Sequence, residues 1–300
     1  MATHDTSPRA LPEGPWAIHL ARYEQLAADA AVGRLTVTIE KPDHPLRLEK
    51  VRAALPGRPE QAAEVTIGVL PIVGVIAQRV GDWYGDTYTD RLSERFDELV
   101  ESEKVAGIVL DVDSPGGIVS GTPELAEHIF QARGKKPIVA VGNAFMASAA
   151  YWIGSAADQV VMAPSAEAGS IGVFSAHVDV SAALEQDGYK VTFVHAGKYK
   201  VEGNPFEPLA QDARDEMQRA VDYYYAMFTA AVAKHRGMTP RQVKSDLGQG
   251  RLMRAKQAVE AGMADRIATL GEVIQAMAQK IAAGQQRSRK AMLRKRLELG

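Results

Sequence analysis

The chain has no cysteine. That excludes a disulfide framework, a thiolate zinc site and a cysteine nucleophile, and leaves the redox compartment open. Long apolar runs are missing too. The longest, Val65–Ala77, holds 13 residues and a proline, short of the ~20 needed to span a bilayer. The opening MATHDTSPRALPEGPW has no basic stretch followed by an apolar one, so no secretory signal is expected and the chain reads as soluble and cytoplasmic. Net charge is almost absent: 35 Lys and Arg oppose 37 Asp and Glu, leaving −2. A polycation built to coat nucleic acid is thereby excluded. Neither an HExxH pair nor a P-loop occurs, so no metal and no cofactor is expected. What remains is globular, 46% hydrophobic and 24% charged over 300 residues, enough for two domains or one large α/β domain with extensions.

Residues 1–15 are polar with three prolines and read as a mobile terminus. Trp16–Ala31 has helical spacing, with Trp16, Leu20, Tyr23, Leu26, Ala27 and Ala30 on one face. A β-like patch at 35–40 follows. Lys41–Glu64 carries prolines at 42, 45, 56 and 59 and reads as a linker. Residues 1–61 are thus taken as an N-terminal extension, 62–283 as the main domain and 284–300 as a tail.

From Val65 the pattern alternates. VTIGVLPIVGVI reads as a strand pair or a bent strand, Thr89–Lys104 as a helix and 107–113 as a buried strand. Thr122 and Pro123 open a helix as cap and first residue. Strands follow at 137–142, 159–163 and 189–196, with a helix at 147–156 between the first two. A long helix spans Pro208–Arg236 with Gly237 as its stop, and shorter ones 256–262 and 271–283. Strands separated by helices argue for parallel β with right-handed crossovers. The tail holds Arg287, Arg289, Lys290, Arg294, Lys295 and Arg296 against Glu298, a local +5 beside −7 for the rest. It is either a solvated helix or a docking element for an acidic partner.

Four segments can carry chemistry. Asp113-Ser114-Pro115-Gly116-Gly117 follows a buried strand, and its glycines let backbone N–H groups approach a ligand, although Pro-Gly-Gly also makes an ordinary turn. Ser148 stands where a strand gives way to a helix, as an N-cap or as a nucleophile facing an oxyanion site. Gly169-Ser170-Ile171-Gly172 is a small-residue turn with a hydroxyl. Lys198 and Lys200 lie in the loop GKYKVEGNPF (197–206), where lysines are usually just solvated.

In this order and spacing the four resemble the Ser-Lys peptidases of the signal peptide peptidase A type, relatives of the Clp protease and crotonase fold. The resemblance covers about Ile67 to Ile274. KVEGNPF (200–206) and GSIGVFSAH (169–177) look most like the head maturation, or capsid assembly, proteases of tailed phages. It implies an α/β fold of repeated ββα units in a spiral with parallel sheets, beside an N-terminal helical extension. It also implies Ser148 as nucleophile, Lys200 as general base, Ser170 as the hydroxyl orienting the amine, and the N–H groups of Gly117 and Ala149 as the oxyanion hole. Ala149-Ala150 replace the glycine that often follows the nucleophile, yet alanine still supplies an N–H. Membrane-bound members carry an N-terminal transmembrane helix, and its absence here favours the phage branch over envelope quality control. Family members assemble into rings with serine and lysine meeting across a subunit interface. Scaffold or portal proteins are the implied docking partners of the basic tail.

A serine hydroxyl needs a base to take its proton, and lysine serves only where burial and distance from carboxylates deprotonate it. Val201, Phe206 and Phe193 are the apolar neighbours expected to do so, with Glu202 pointing away. Lys198 is the rival base, which the spacing does not separate from Lys200; the resemblance favours Lys200. A Ser-His-Asp arrangement would use His177 or His195. The expected function is a serine endopeptidase acting on capsid or scaffold proteins. The alternatives are a signal-peptide-degrading relative, a crotonase-like acyl-CoA enzyme using the same oxyanion geometry, or an inert assembly module.

Overall fold

A computed structural model describes residues 16–18, 23, 44–79 and 86–298. The patch at 35–40 and the terminus at 1–15 lie outside the described residues. The elements in chain order are β1 (Trp16–Ile18), β2 (Arg47–Leu55), β3 (Arg58–Ala77), β4 (Thr87–Tyr88), α1 (Thr89–Glu101), β5 (Val105–Ile118), α2 (Thr122–Gln131), β6 (Ile138–Ala147), α3 (Ala149–Ser155), β7 (Gln159–Met162), β8 (Glu167–Gly169), α4 (Ser181–Gln186), α5 (Gln211–Arg236), α6 (Pro240–Asp246), β9 (Leu252–Arg254), α7 (Ala255–Glu260), β10 (Arg266–Ile267) and α8 (Leu270–Glu298).

The main sheet runs β10-β7-β6-β5-β3-β2, parallel except for the β2–β3 hairpin. Helices cover both faces, which is why these strands are nearly continuously apolar. Alternation along β5 shows it: Ile108, Leu110 and Val112 enter the larger core with α1, α2 and α3. Val109 points the other way, to the core closed by Val273, Met277, Ala278 and Ala282 of α8. The strands do not end together. β3 and β5 shift register near Val73–Val75, and β5 and β6 near Val112–Ser114. Beyond these bulges, which bend the strands that carry them, the carboxyl ends take new ladder partners. There Gly116–Ile118 pairs with β1, and Phe145–Ala147 with β8. The α/β architecture with a curled, parallel-rich sheet is therefore the one expected, and the apolar run at 65–77 is one bent strand. No helix among the described residues is long and apolar enough to cross a membrane.

Four local expectations are corrected. Trp16–Ile18 is a strand, not the start of a helix; Tyr23 is helical, and the remainder of 19–31 lies outside the described residues. Most of the expected linker at 41–64 is hairpin, because Val51 and Ala53 pack with Val65 and Ile67 on the α8 side. β3 consequently runs through the point where the extension was to end. The cap of α2 is Gly121 at φ 82°, with Thr122 inside the helix donating to the Ile118 carbonyl. Finally, 189–196 is not a strand: it has no ladder partner among the described residues, and Tyr189, Val191, Phe193 and Val194 are exposed. A sequence favouring β structure cannot express it without a neighbour to pair with.

α5 ends at Gly237, φ 66°, and lays Phe228 flat on Trp152 of α3, centroids 4.4 Å apart. Tyr224, Tyr225 and Met227 pack partly against the core, while Tyr223 is exposed. The carboxyl end of α3 is held by Arg133, whose guanidinium donates to the carbonyls of Ser155, Ala156, Ala157 and His235. His235 Nδ1 lies 2.9 Å from Ser155 Oγ, and its ring stacks on Phe130. Burial, then the charges of Arg133 and Lys234, push the His235 pKa down to about 4. The unfolded chain therefore binds more protons between the ordinary value of ~6.5 and this one, so stability falls as pH drops through that window, by on the order of 3 kcal/mol in all. Urea unfolding between pH 7 and 4 should show this slope, flattened in His235→Gln.

Candidate active site

The site lies where the parallel strands β5 and β6 finish, the usual place for chemistry in an open α/β sheet. Ser148 joins β6 to α3 at φ 55° and ψ −119°, a conformation L-residues avoid. Its N–H donates to the Gly169 carbonyl at 2.7 Å and its carbonyl accepts from Trp152 N at 2.9 Å. Both bonds clamp the strained residue, and such strain persists only where surroundings impose it. The side chain is fully buried, and Ser148 Oγ has no hydrogen-bond partner among the described residues. A buried hydroxyl left unpaired costs stability, on the order of 1–3 kcal/mol.

Ser170, at φ 53°, begins the next turn, with its N–H donating to the Arg251 carbonyl. It is brought beside Ser148 because β8 pairs Gly169 with Ala147. The glycine turn arrives from β5. Ser114, wholly buried, donates to the Gly74 carbonyl at 2.6 Å and accepts from Gly116 N at 3.1 Å. Gly117 tolerates no side chain, since a Cβ there would fall 1.8 Å from the Ile76 carbonyl oxygen. On Gly116 a Cβ would lie 2.9 Å from the Cβ of Ser148. The fold thus gathers Ser148, Ala149, Ser170 and the Gly116-Gly117 turn in one place. Ser114 and Gly116 were not singled out individually, though both stand in the Asp113–Gly117 motif.

The lysines are elsewhere. Lys200 is exposed, and its side chain makes no hydrogen bond or ion pair among the described residues. Its expected apolar shelter is open: Phe193 and Phe206 stand 5.9 Å apart, 42% and 38% exposed. Lys198 reaches Tyr199 OH at 2.9 Å and Asp212 at 3.8 Å. His177 bonds the Asn204 carbonyl and His195 the Gly197 carbonyl. None of these four is a hydrogen-bond partner of Ser148 Oγ, so neither a lysine dyad nor a histidine triad is formed among the described residues.

Residues 131–284 match the family model described as peptidase family S49. The head-tail preconnector protein GP5 of Enterobacteria phage P21 is 32% identical over 215 residues, 71% of this chain and 42% of that protein. Capsid assembly protease C of Escherichia phage lambda is 32% identical over 224 residues, 74% of this chain and 51% of that protein. The chain spans about half the length of these curated relatives. Among solved structures, a ClpP1 mutant from Listeria monocytogenes is similar at 16% identity and a TM-score of 0.44, over 67% of this chain and 90% of that one. Since the matched segment takes in half of the sequence, and with it Ser148, Ser170 and both candidate lysines, the chain belongs to peptidase family S49.

Proposed function

We propose that the chain is a serine endopeptidase whose nucleophile is Ser148 and whose base, Lys200, comes from a neighbouring copy in a homo-oligomeric ring. The observation that carries this reading is the buried, unpaired hydroxyl of Ser148 on a strained turn, beside an exposed Lys200. A hydroxyl with no function in that position would be selected to find a partner. The exposed apolar stretch at 189–194, unpaired among the described residues, lies in the same region of sequence as Lys200 and supplies a surface for the adjoining copy to cover. Docking there would also dry the lysine, which favours its neutral form.

In the proposed cycle Lys200 takes the Ser148 proton and Oγ attacks the peptide carbonyl. The N–H groups of Gly117 and Ala149 hold the resulting oxyanion, each donor being worth ~100–1000-fold in rate. The lysine then protonates the leaving amine, breaking the C–N bond, and water hydrolyses the acyl-enzyme to restore Ser148. Ser170 orients the lysine amine. The names of the two phage relatives support capsid or scaffold polypeptides as substrates, with the host cytoplasm or procapsid interior as the place of action and the 284–298 helix as a docking element for scaffold or portal.

Labelling tests the reading. A fluorophosphonate probe is expected to modify Ser148, found by peptide mass mapping, and Ser148→Ala is expected to stay unlabelled. Labelling elsewhere, or none in the assembled protein, would leave the acyl-CoA enzyme or the inert assembly module as the better reading.

A further inference from the structure

The strand β1 gives the site an occupant. Trp16, Ala17 and Ile18 are at most 3% exposed and lie antiparallel to Gly116–Ile118. On their other edge, Trp16 N donates to the Phe174 carbonyl at 2.8 Å and Phe174 N to the Trp16 carbonyl at 3.1 Å. Backbone polar groups alternate sides along an extended strand, so those of Ala17 face β5, where its ladder partner is Gly117. The Ala17 carbonyl oxygen also presses on Gly116. A Cβ on Gly116 would lie 2.3 Å from that oxygen and 2.9 Å from the Ser148 Cβ.

One of the chain's own peptide carbonyls therefore stands beside the proposed nucleophile and opposite the proposed oxyanion donor. The two walls that hold it, the glycine turn and the segment after Ser170, are the two segments that frame Ser148. An extended strand added between two such edges is how peptides are bound by backbone pairing, with side-chain pockets alternating along it. The pockets here are distinct. Trp16 packs edge-on to Tyr23, which packs edge-on to Phe174, and the Ala17 side chain is enclosed in the main core.

We propose that Trp16–Ile18 is an internal ligand of the substrate track, holding the place of an extended polypeptide that must displace it. The ligand class follows: an extended chain with a small residue at the position of Ala17 and an aromatic residue just before it. This rests on the peptidase reading above.

The test uses the absence of native cysteine. Trp16 faces Ile118 across the ladder with its polar groups turned towards Phe174, a non-hydrogen-bonded pair whose Cα atoms stand about 4.5 Å apart. A disulfide spans that distance. The full-length double variant Trp16→Cys, Ile118→Cys is expected to form one under oxidant, and then to hydrolyse casein about tenfold or more slowly than after reduction, because the competent fraction scales the apparent affinity. Ile118→Cys alone should be indifferent to reductant. As a second arm, Trp16→Ala is expected to lower KM for casein about threefold or more with kcat kept. Equal rates in the bonded and reduced forms overturn the inference, as does a pair that never bonds or an unchanged KM in Trp16→Ala. If the native chain shows no Ser148-dependent hydrolysis at all, the peptidase reading fails and takes the inference with it.

Discussion

Ser148→Ala is expected to abolish hydrolysis while leaving the fold intact. The change removes the only atom that can form the acyl bond, and losing a peptidase nucleophile costs on the order of a millionfold in turnover. Its structural cost points the other way. Ser148 Oγ is buried without a partner, so deleting it removes an unsatisfied polar atom, and stability should hold or rise slightly. The bonds that clamp the turn are made by backbone atoms and survive the substitution, although alanine still has to accept φ 55°. Casein turnover and thermal unfolding on the same sample separate the two effects. Full activity in Ser148→Ala would reject the assignment, and a collapse of the fold would show the hydroxyl to be structural.

Lys200→Ala should be as inactive, and the pair should complement. If each site joins the serine of one copy to the lysine of the next, subunit exchange between inactive Ser148→Ala and inactive Lys200→Ala rings rebuilds sites. For random mixing, about one quarter of interfaces hold both native residues, so activity near a quarter of native is expected. A site closed within one copy predicts none. Lys198→Ala is the companion measurement. Its amine sits by Tyr199 and Asp212, so substitution should leave most of the activity; loss there with Lys200→Ala still active would move the base by two residues. Activity surviving in His177→Ala separates both from a histidine triad.

The parallel core was legible because its strands are apolar on both faces: GIVLDV and PIVAVG announce burial without reference to neighbours. The candidate serine and glycine turn were legible for a related reason, being short motifs set at strand ends. Three things were not. The stretch YKVTFVHA has strand composition, but pairing is a property of two segments, and no second segment pairs with it among the described residues. Trp16-Ala17-Ile18 fits a helix stripe as well as a strand over so few residues, and its partner Gly116–Ile118 lies about a hundred residues away. The left-handed backbone of Ser148 and Ser170 has no compositional mark, since it is imposed by the bonds to Gly169 and Arg251.

The last helix carries a consequence for electrostatics. α8 is seated by Val273, Met277, Ala278 and Ala282, and residues 287–297 beyond them are exposed. At 1.5 Å per residue the helix carries its cations from roughly 8 Å (Arg287) to roughly 20 Å (Arg294 to Arg296) past Ala282, its last buried side chain. Screening at physiological salt acts over about 8 Å. The outer end of the cationic arm, Arg294 to Arg296, and the anionic body are then nearly independent objects in the cell, each free to meet its own counterpart, while Arg287 stays within reach of the body. Dilute buffer would couple them again, so attraction between copies, arm to body, should grow as salt is withdrawn.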